Sequence, residues 1–374
     1  MLKVMTIIGT RPEIIKMSRV IAEFDIYTQH ILVNTQQNND YELNKIFFDE
    51  LGIRKPDYFL GISNASPIKA ISEVIARSDK IMTKEKPDAI LLYGDTNSCL
   101  SVIAAKRKKI PIFHMEAGNR CFDQRIPEEL NRKVIDHLSD VNLVITEHAR
   151  RSLINEGIKE NLIIKTGSHM EEVLNFYMKK IKKSDVLTRL KIKPKKFFLV
   201  SIHREENIPD NKSINNILET LSALSETYQL PILISTHPRL KKVLDSSQYH
   251  LKDSNIKFHK PFGFFDYVKL QMNAICIISD SGTITEEASL LSLPAINFRI
   301  ATERPENMDE ATTIMSFHKK EYVLNAVRII ISHHANKIGD FNICEDYNGG
   351  KVSKKVLRIV HSYVDFINKN IWHK

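Results

Sequence analysis

Short apolar runs alternate with longer amphipathic segments along the chain, and most of the runs are continuous rather than alternating. Continuous runs are typical of parallel strands that are covered on both faces, and the helical segments between them predict βαβ units. A last helical pattern extends roughly from Ser353 to Ile371. The strand-like runs are, in chain order, Leu2–Ile8, His30–Asn34, Ala89–Tyr93, Ile112–His114, Val141–Thr146, Phe197–Ile202, Ile232–Thr236, Ile256–His259, Ile275–Ser279 and Ala295–Phe298.

These runs fall into two groups, and a length of 374 residues also favours two domains. We therefore predict an α/β fold with two Rossmann-like, doubly wound domains, at residues 1–170 and 171–355. Residues 356–374 are predicted to form a C-terminal helix that packs back on the first domain. A ligand of such a fold binds at the carboxyl ends of the strands, so we expect it in a central cleft that both domains face.

Composition and charge are those of an ordinary soluble protein, with 43% hydrophobic and 26% charged residues. The 54 basic and 45 acidic side chains give a net charge of +9. The densest basic stretch, Lys179–Lys196, contains eight lysines and no aromatic residue, which favours a solvated helix and linker over a nucleic-acid site. A compact anionic ligand suits the modest basic excess, and we predict no nucleic-acid partner.

Several other protein classes are disfavoured. The N-terminus predicts a strand rather than a signal peptide, and no apolar run is long enough to span a membrane. Four scattered cysteines show no metal-ligand spacing, so we expect a cytoplasmic protein without a metal site. The chain has only 12 glycines and lacks Gly-x-Gly-x-x-Gly and Asp-x-Asp, which argues against a bound NAD cofactor and a metal-dependent glycosyltransferase.

Polar clusters follow six of the predicted strands, at the strand ends where a doubly wound fold binds its ligand. One such cluster is weak evidence because loops are polar anyway, but the recurrence at six ends indicates a site. The clusters are Gly9–Glu13 with Lys16, Gly94–Asn97, His114–Gly118, His203–Asn207, Thr236–Arg239 and Ser279–Thr283.

Two of these clusters are candidates for phosphate binding. Arg11 and Lys16 flank the start of a helix and could form a cationic pocket, although Thr10 and Pro12 are also ordinary helix-capping residues. Ser281 and Gly282 could present backbone N–H groups to phosphate, or could equally begin a capping box. Glu287, about one turn further on, could accept both hydroxyls of a ribose.

Three carboxylates and a histidine are candidates for proton transfer, since we expect all of them near the cleft. Asp95 and Glu116 follow predicted buried strands, His203 follows a strand of the second half, and Glu128 begins a helix. A carboxylate at a helix start also interacts well with the helix dipole, so Glu128 has a purely structural explanation as well. Cys121 is disfavoured as a nucleophile because no activating partner is evident.

The full ordered set of motifs closely resembles the non-hydrolysing UDP-N-acetylglucosamine 2-epimerase family, from residue 5 to about 310. That resemblance implies a glycosyltransferase-B-like fold, a homodimer and a UDP-sugar substrate. The matching segments are Gly9–Glu13 with Lys16, Gly94–Thr96, His114–Gly118, Pro127–Glu129 with Asn131 and Arg132, His203–Glu205, Asp280–Gly282 with Glu286–Ala288, and Thr302–Glu306.

The resemblance also implies roles for individual residues. Proton transfer at C2 of the sugar is carried over to Asp95, Glu116 and Glu128, and stabilisation of the departing diphosphate to His203. Substrate binding is carried over to Arg11, Lys16, Arg132, His237, Phe264, Ser281, Gly282, Glu287 and Arg304. Among these, Glu287 is the ribose ligand and Phe264 the uracil contact.

Departures from the family pattern resemble a branch found in capsule and O-antigen pathways. Thr283 stands where the family has the second glycine of Gly-Gly, and Ser168 stands where it has the asparagine of Thr-Gly-Asn. Asn38 stands where the family has a histidine. That branch converts UDP-2-acetamido-2,6-dideoxy-L-talose to UDP-N-acetyl-L-fucosamine. The alternatives are conversion of UDP-N-acetylglucosamine to UDP-N-acetylmannosamine, and a glycosyltransferase of the same architecture.

Overall fold

The computed structural model describes residues 1–35, 45–63, 66–202, 211–236, 253–299, 301–316, 319–335 and 343–374. Its contacts divide the chain into two compact units. Unit 1 comprises Met1–Phe176 and Asp346–Lys374, and unit 2 comprises Tyr177–Glu345. The division therefore falls at residues 176 and 345, against the predicted 170 and 355.

Unit 1 is built on a seven-stranded, all-parallel sheet in the order β3-β2-β1-β4-β5-β6-β7. The strands β1 to β6 have the doubly wound order. The chain first adds strands on one side of β1 and then, from β4 onward, on the other side. The strands are β1 Lys3–Ile8, β2 Gln29–Asn34, β3 Tyr58–Phe59, β4 Ala89–Tyr93, β5 Ile112–Ala117, β6 Val141–Val144 and β7 Ile163–Lys165.

Unit 2 repeats this plan with six parallel strands in the order β10-β9-β8-β11-β12-β13. Along β8 and the residue before it, Phe198 and Val200 pack into one apolar cluster while Phe197 and Leu199 pack into another. Both faces of the sheet are thus covered, which explains the continuous apolar runs. The strands are β8 Phe198–Ser201, β9 Ile232–Ser235, β10 Ile256–His259, β11 Cys276–Ser279, β12 Ala295–Asn297 and β13 Ile314–Met315.

Helices connect the strands, as βαβ units require. Together with the two parallel sheets, these helices confirm the predicted α/β class with two doubly wound domains. The described helices are α1 Arg11–Tyr27, α2 Lys45–Leu51, α3 Pro67–Glu85, α4 Val102–Arg107, α5 Pro127–Leu138, α6 Glu147–Asn155, α7 His169–Lys183, α8 Val186–Arg189, α9 Asn211–Tyr228, α10 Phe264–Asn273, α11 Thr283–Leu291, α12 Pro305–Asp309, α13 Lys320–Ala335 and α14 Val352–Asn370.

The C-terminal helix α14 returns to unit 1 and packs against α1. Its start is fixed to α7, because Glu172 accepts hydrogen bonds from both the backbone N–H and the hydroxyl of Ser353, each at 2.8 Å. Gly167 lies so close to Gly349 that an added Cβ would come within 2.4 Å of the Gly349 Cα. Neither glycine tolerates a side chain there. The close approach of the two backbones lets the segment before α14 pack against the loop that follows β7.

Within the described residues, no helix is both long and apolar enough to cross a membrane.

Candidate active site

In unit 1 the predicted site residues gather at the carboxyl ends of β1, β4 and β5, where the strand order reverses. Arg11 is half-buried at the first position of α1, and Lys16 lies about one turn further along the same helix. Asp95 follows β4, Glu116 lies near the end of β5, and Arg132 comes from α5. Five of the residues predicted from sequence are therefore held on a single sheet edge and its flanking helices.

Lys16 and Glu116 form a buried ion pair. The Lys16 Nζ lies 2.8 Å from Glu116 Oε2, and the lysine is only 2% exposed. Tyr93, the last residue of β4, donates its hydroxyl hydrogen to the same carboxylate oxygen. The Lys16 ammonium also lies 5.7 Å from the centre of the Tyr93 ring. Since a desolvated lysine needs an opposite charge nearby, Glu116 is what makes its burial tolerable.

The backbone at Glu116 is strained in a way that aims its side chain. Its φ of +63° is left-handed, which is uncommon outside glycine and is seen mainly where the surrounding structure enforces it. The pairing of β5 with β6 shifts register between Met115 and Ala117, so a bulge accommodates the extra residue. Such bulges re-aim a side chain at functional sites, and here the side chain is directed to Lys16.

A second ion pair lies beside the first. Arg132 donates to Asp95 Oδ2 at 2.6 Å and to Glu129 Oε2 at 3.0 Å, so the guanidinium bridges the two carboxylates. Asp95 is the more exposed of the two acids, whereas Glu129 is fully buried. Asn131 donates to the backbone carbonyl of Asp95 at 3.0 Å. Helix α5 thus fixes both the backbone and the side chain of Asp95.

Glu128 lies in the first turn of α5 with an exposed side chain, next to the buried Glu129. Glu129 accepts hydrogen bonds from the backbone N–H groups of Cys121 and Phe122, each at 3.1 Å, and so supports the loop after β5. A role of Glu128 in proton transfer stays a prediction. No role was predicted for Glu129 from the sequence, although its i,i+3 spacing to Arg132 is a recognisable ion-pair pattern.

A buried histidine and aspartate connect the loops that carry the two acids. His114 Nε2 lies 2.7 Å from the carbonyl oxygen of Gly94, and its Nδ1 lies 2.8 Å from Asp136. Asp136 also accepts from Arg120 at 2.7 Å and from the Gly118 N–H at 3.2 Å. The turn before Asp95 and the loop after Glu116 are therefore linked through one buried carboxylate.

Glu13 links the first turn of α1 to the Asp95 loop, a role that was not predicted from the sequence. Its carboxyl accepts from the backbone N–H groups of Gly9 and Thr10, and from the hydroxyl of Thr96. Burial raises the pKa of Glu13 from its usual 4.5 to about 7, although the hydrogen bonds from Thr96 and from the Gly9 and Thr10 amides act to lower it. The capping pattern Thr10-x-x-Glu13 was the available signal.

The raised pKa of Glu13 predicts a pH-dependent stability. Because the pKa of Glu13 is higher in the folded than in the unfolded protein, its neutral carboxyl contributes to the free energy of unfolding. This contribution is complete below the unfolded-state pKa and is lost as pH rises through about 7. Glu13→Gln cannot ionise, so the wild-type protein should lose about 3 kcal/mol relative to the variant between pH 4 and pH 8. Urea unfolding followed by the fluorescence of Trp372, the single tryptophan and a part of unit 1, measures this difference. A difference that does not change with pH would contradict it.

In unit 2, the loop after β11 leads directly into α11. Asp280 is fully buried, and Ser281 and Gly282 are half-buried at the start of the helix. The Ser281 hydroxyl lies 3.0 Å from that of Thr283 and 3.4 Å from its backbone nitrogen. The N-cap residue of α11 is Gly282, which makes no side-chain cap hydrogen bond, and the backbone N–H of Ser281 donates to the Ser279 hydroxyl at 3.1 Å. Phosphate binding by Ser281 and Gly282 stays a prediction.

Two further predicted binding residues lie on neighbouring helices of unit 2. Glu287 is buried on α11 and accepts from the side-chain amide of Gln271 at 2.5 Å. Phe264 begins α10, and its ring packs edge-on against Tyr177 with ring centres 6.3 Å apart. The amide fixes the Glu287 carboxylate in one orientation, as a carboxylate that accepts two hydroxyl groups requires.

Arg304 is among the largest fully buried side chains of the chain. It pairs with Glu286 Oε1 at 2.7 Å and lies 3.9 Å from Glu306, and both acids are buried. A buried guanidinium without carboxylates would be very costly, so these acids hold the arginine in place. His203 and His237, the remaining predicted site residues, lie outside the described residues and stay predictions.

Comparisons with known proteins agree with this architecture. A family model described as UDP-N-acetylglucosamine 2-epimerase matches residues 23–361. A solved structure of a UDP-N-acetylglucosamine 2-epimerase from Rickettsia bellii is 58% identical over all of both chains, with a TM-score of 0.93. The Methanocaldococcus jannaschii UDP-GlcNAc 2-epimerase, solved in complex with UDP-GlcNAc and UDP, is 32% identical over 96% of this chain and all of that chain, with a TM-score of 0.89.

A relative with a different substrate name also matches. The UDP-2,3-diacetamido-2,3-dideoxy-D-glucuronate 2-epimerase of Pseudomonas aeruginosa is 29% identical over 95% of this chain and 98% of that protein.

Proposed function

Because the chain belongs to the UDP-N-acetylglucosamine 2-epimerase family, we propose that it inverts C2 of a UDP-linked N-acetylamino sugar by eliminating UDP and adding it back. The observation that carries the proposal is a pair of carboxylates at neighbouring strand ends, each held by its own cation. Glu116 pairs with Lys16 and Asp95 with Arg132, so the two acids have separate supports.

The chemistry explains why two acids are needed. The C2–H bond of an N-acetyl sugar is not next to a carbonyl carbon, so direct removal of the proton is too difficult. A base that takes this proton while UDP leaves C1 gives a neutral 2-acetamidoglycal. Protonation of C2 from the other face and return of UDP to C1 complete the inversion, and this requires acid–base groups on both faces. Asp95, Glu116 and Glu128 are the candidates for that work.

The departing UDP carries the developing negative charge, which positioned cations and N–H groups stabilise. From unit 1 we assign Arg11 and Lys16 to this role, with Arg132 as a further cation. From unit 2 we assign Ser281 and Gly282 to phosphate, Glu287 to the ribose, Phe264 to the uracil and Arg304 to the site, together with His203 and His237. Sites that exclude water protect a reactive glycal from side reactions.

Two sugars are candidates for the substrate. Thr283 and Ser168, which depart from the usual family motifs, support UDP-2-acetamido-2,6-dideoxy-β-L-talose as substrate and UDP-N-acetyl-β-L-fucosamine as product. The names of the relatives support UDP-N-acetylglucosamine equally well. Offering both UDP-sugars side by side and identifying the products by NMR decides between them. A homodimer is part of the same proposal.

Elimination and re-addition predict isotope uptake from solvent. Incubation with the UDP-sugar in D2O should place one deuterium at C2 of the product, because the returning proton comes from a group that exchanges with water. The C1 and C3 hydrogens are the internal control and should stay unlabelled. An epimerised product without deuterium at C2 would contradict the elimination mechanism. A glycosyltransferase would instead leave the UDP-sugar unchanged until an acceptor is added.

A further inference from the structure

The phenol of Tyr93 is enclosed by groups of the candidate active site. Tyr93 is 2% exposed, and its hydroxyl donates to Glu116 Oε2, the oxygen that also lies 2.8 Å from Lys16 Nζ. The ring of His169, at the start of α7, meets the Tyr93 ring edge-on with centres 5.3 Å apart. Donors from α1 and β4 therefore converge on one carboxylate oxygen that projects from β5.

We infer that Tyr93 is a positioning residue of the epimerase, which acts through Glu116 by holding that carboxylate in one orientation. The inference rests on the proposed function. Two donors on one oxygen resist rotation of the carboxylate, and hydrogen bonds to a charged acceptor are the stronger ones. Lys16 from α1 is a charged group that faces Glu116, and Asp95, which pairs with Arg132, follows β4 next to Tyr93.

The substitution Tyr93→Phe removes the hydroxyl and keeps the ring that packs against Lys16 and His169, so it tests the hydroxyl alone. We expect kcat to fall by about 10- to 100-fold with little change in KM, since a carboxylate displaced by about 1 Å loses up to about 100-fold in rate. A purely structural role would instead lower the free energy of unfolding together with kcat, and the loss of activity would persist in a background that lacks the Glu116 carboxylate.

Tyr58 provides a matched control within the same unit. Its hydroxyl donates to Glu85 Oε1 at 2.5 Å and lies 2.9 Å from Lys84 Nζ, so it is also part of a tyrosine–glutamate–lysine group. This group lies at partly exposed positions outside the candidate active site. Tyr58→Phe should leave both kcat and KM unchanged.

A double variant separates action through Glu116 from an independent effect. In the Glu116→Gln background the added Tyr93→Phe change should cost no further activity, because the carboxylate through which Tyr93 acts is absent. Losses that multiply would overturn the inference, as would a Tyr93→Phe variant that keeps the wild-type kcat. If the wild-type enzyme fails to interconvert the UDP-sugar in D2O, the proposed function fails instead, and the two failures are distinguishable.

A fluorotyrosine at position 93 covers the case in which Tyr93→Phe does not fold. It keeps the hydroxyl and nearly the same shape, so the hydrogen bond to Glu116 is retained. We expect kcat within a few-fold of the wild-type value, in contrast to the loss in Tyr93→Phe. A fluorotyrosine variant that loses as much activity as Tyr93→Phe would overturn the inference.

Discussion

Asp95→Asn should lower turnover by about 10²- to 10⁴-fold, the range that a lost acid–base group costs, while UDP still binds with nearly unchanged affinity. Asparagine has the shape of aspartate and its carbonyl oxygen can still accept from Arg132, which donates to Asp95 at 2.6 Å in the wild-type protein. The amide cannot take up or deliver a proton at C2. Turnover is measured by coupled product analysis and UDP binding by calorimetry.

Asp88 is the natural control for this substitution, because it precedes β4 whereas Asp95 follows it. Asp88 accepts only the exposed backbone N–H of Lys3, at 2.8 Å, among the contacts that the structure gives it. Asp88→Asn should therefore leave turnover and UDP affinity unchanged. If Asp95→Asn abolishes UDP binding together with turnover, Asp95 has a structural role instead.

Asp136→Ala should lower the free energy of unfolding of unit 1 by about 3–5 kcal/mol, the cost of breaking a buried ion pair by removing one partner. Burial alone would raise the pKa of Asp136, but its hydrogen bonds and charge interactions with His114 and Arg120 lower it, so the carboxylate is ionised in the folded protein. Alanine would leave Arg120 with Glu156 as its remaining carboxylate partner, and it would remove the carboxylate that the buried His114 Nδ1 and Gly118 N–H contact.

Urea unfolding followed by Trp372 fluorescence reports on unit 1 and measures this loss. Asp123 is a matched control because it also pairs with an arginine, Arg125, at 2.7 Å, but near the surface. Hydrogen bonds from Arg125 lower the pKa of Asp123 to about 2, yet solvent screens such pairs and Asp123→Ala should barely move the unfolding midpoint. Equal midpoints for wild type and Asp136→Ala would contradict the role given to the buried network.

The long strands could be predicted from sequence because burial on both faces leaves a continuous apolar run. The edge strands β3, β7 and β13 could not, since each has only two or three residues and lies at or near a sheet edge. A strand of that length has no period to detect and is defined by its pairing with a neighbour, such as that of Val33 with Tyr58.

The site was partly predictable for a similar reason. Residues after strand ends, such as Asp95, could be located from the pattern and from the resemblance, because topology alone brings strand ends together. The bulge that puts Glu116 inside β5, and the choice of Glu129 over Glu128 as the buried acid, depend on local backbone geometry. Tyr93 appeared only as the end of an apolar run, since its hydroxyl contact with Glu116 joins residues from two different strands.

The return of α14 to unit 1 determines the order in which the protein is completed during synthesis. A ribosome makes residues 177–345 before Asp346–Lys374, so unit 2 is fully synthesised while unit 1 still lacks its last helix. Until then α1 lacks its contact with α14, and Glu172 has no Ser353 to bind. Unit 1 therefore gains its α14 contacts only after the residues of unit 2 have been made.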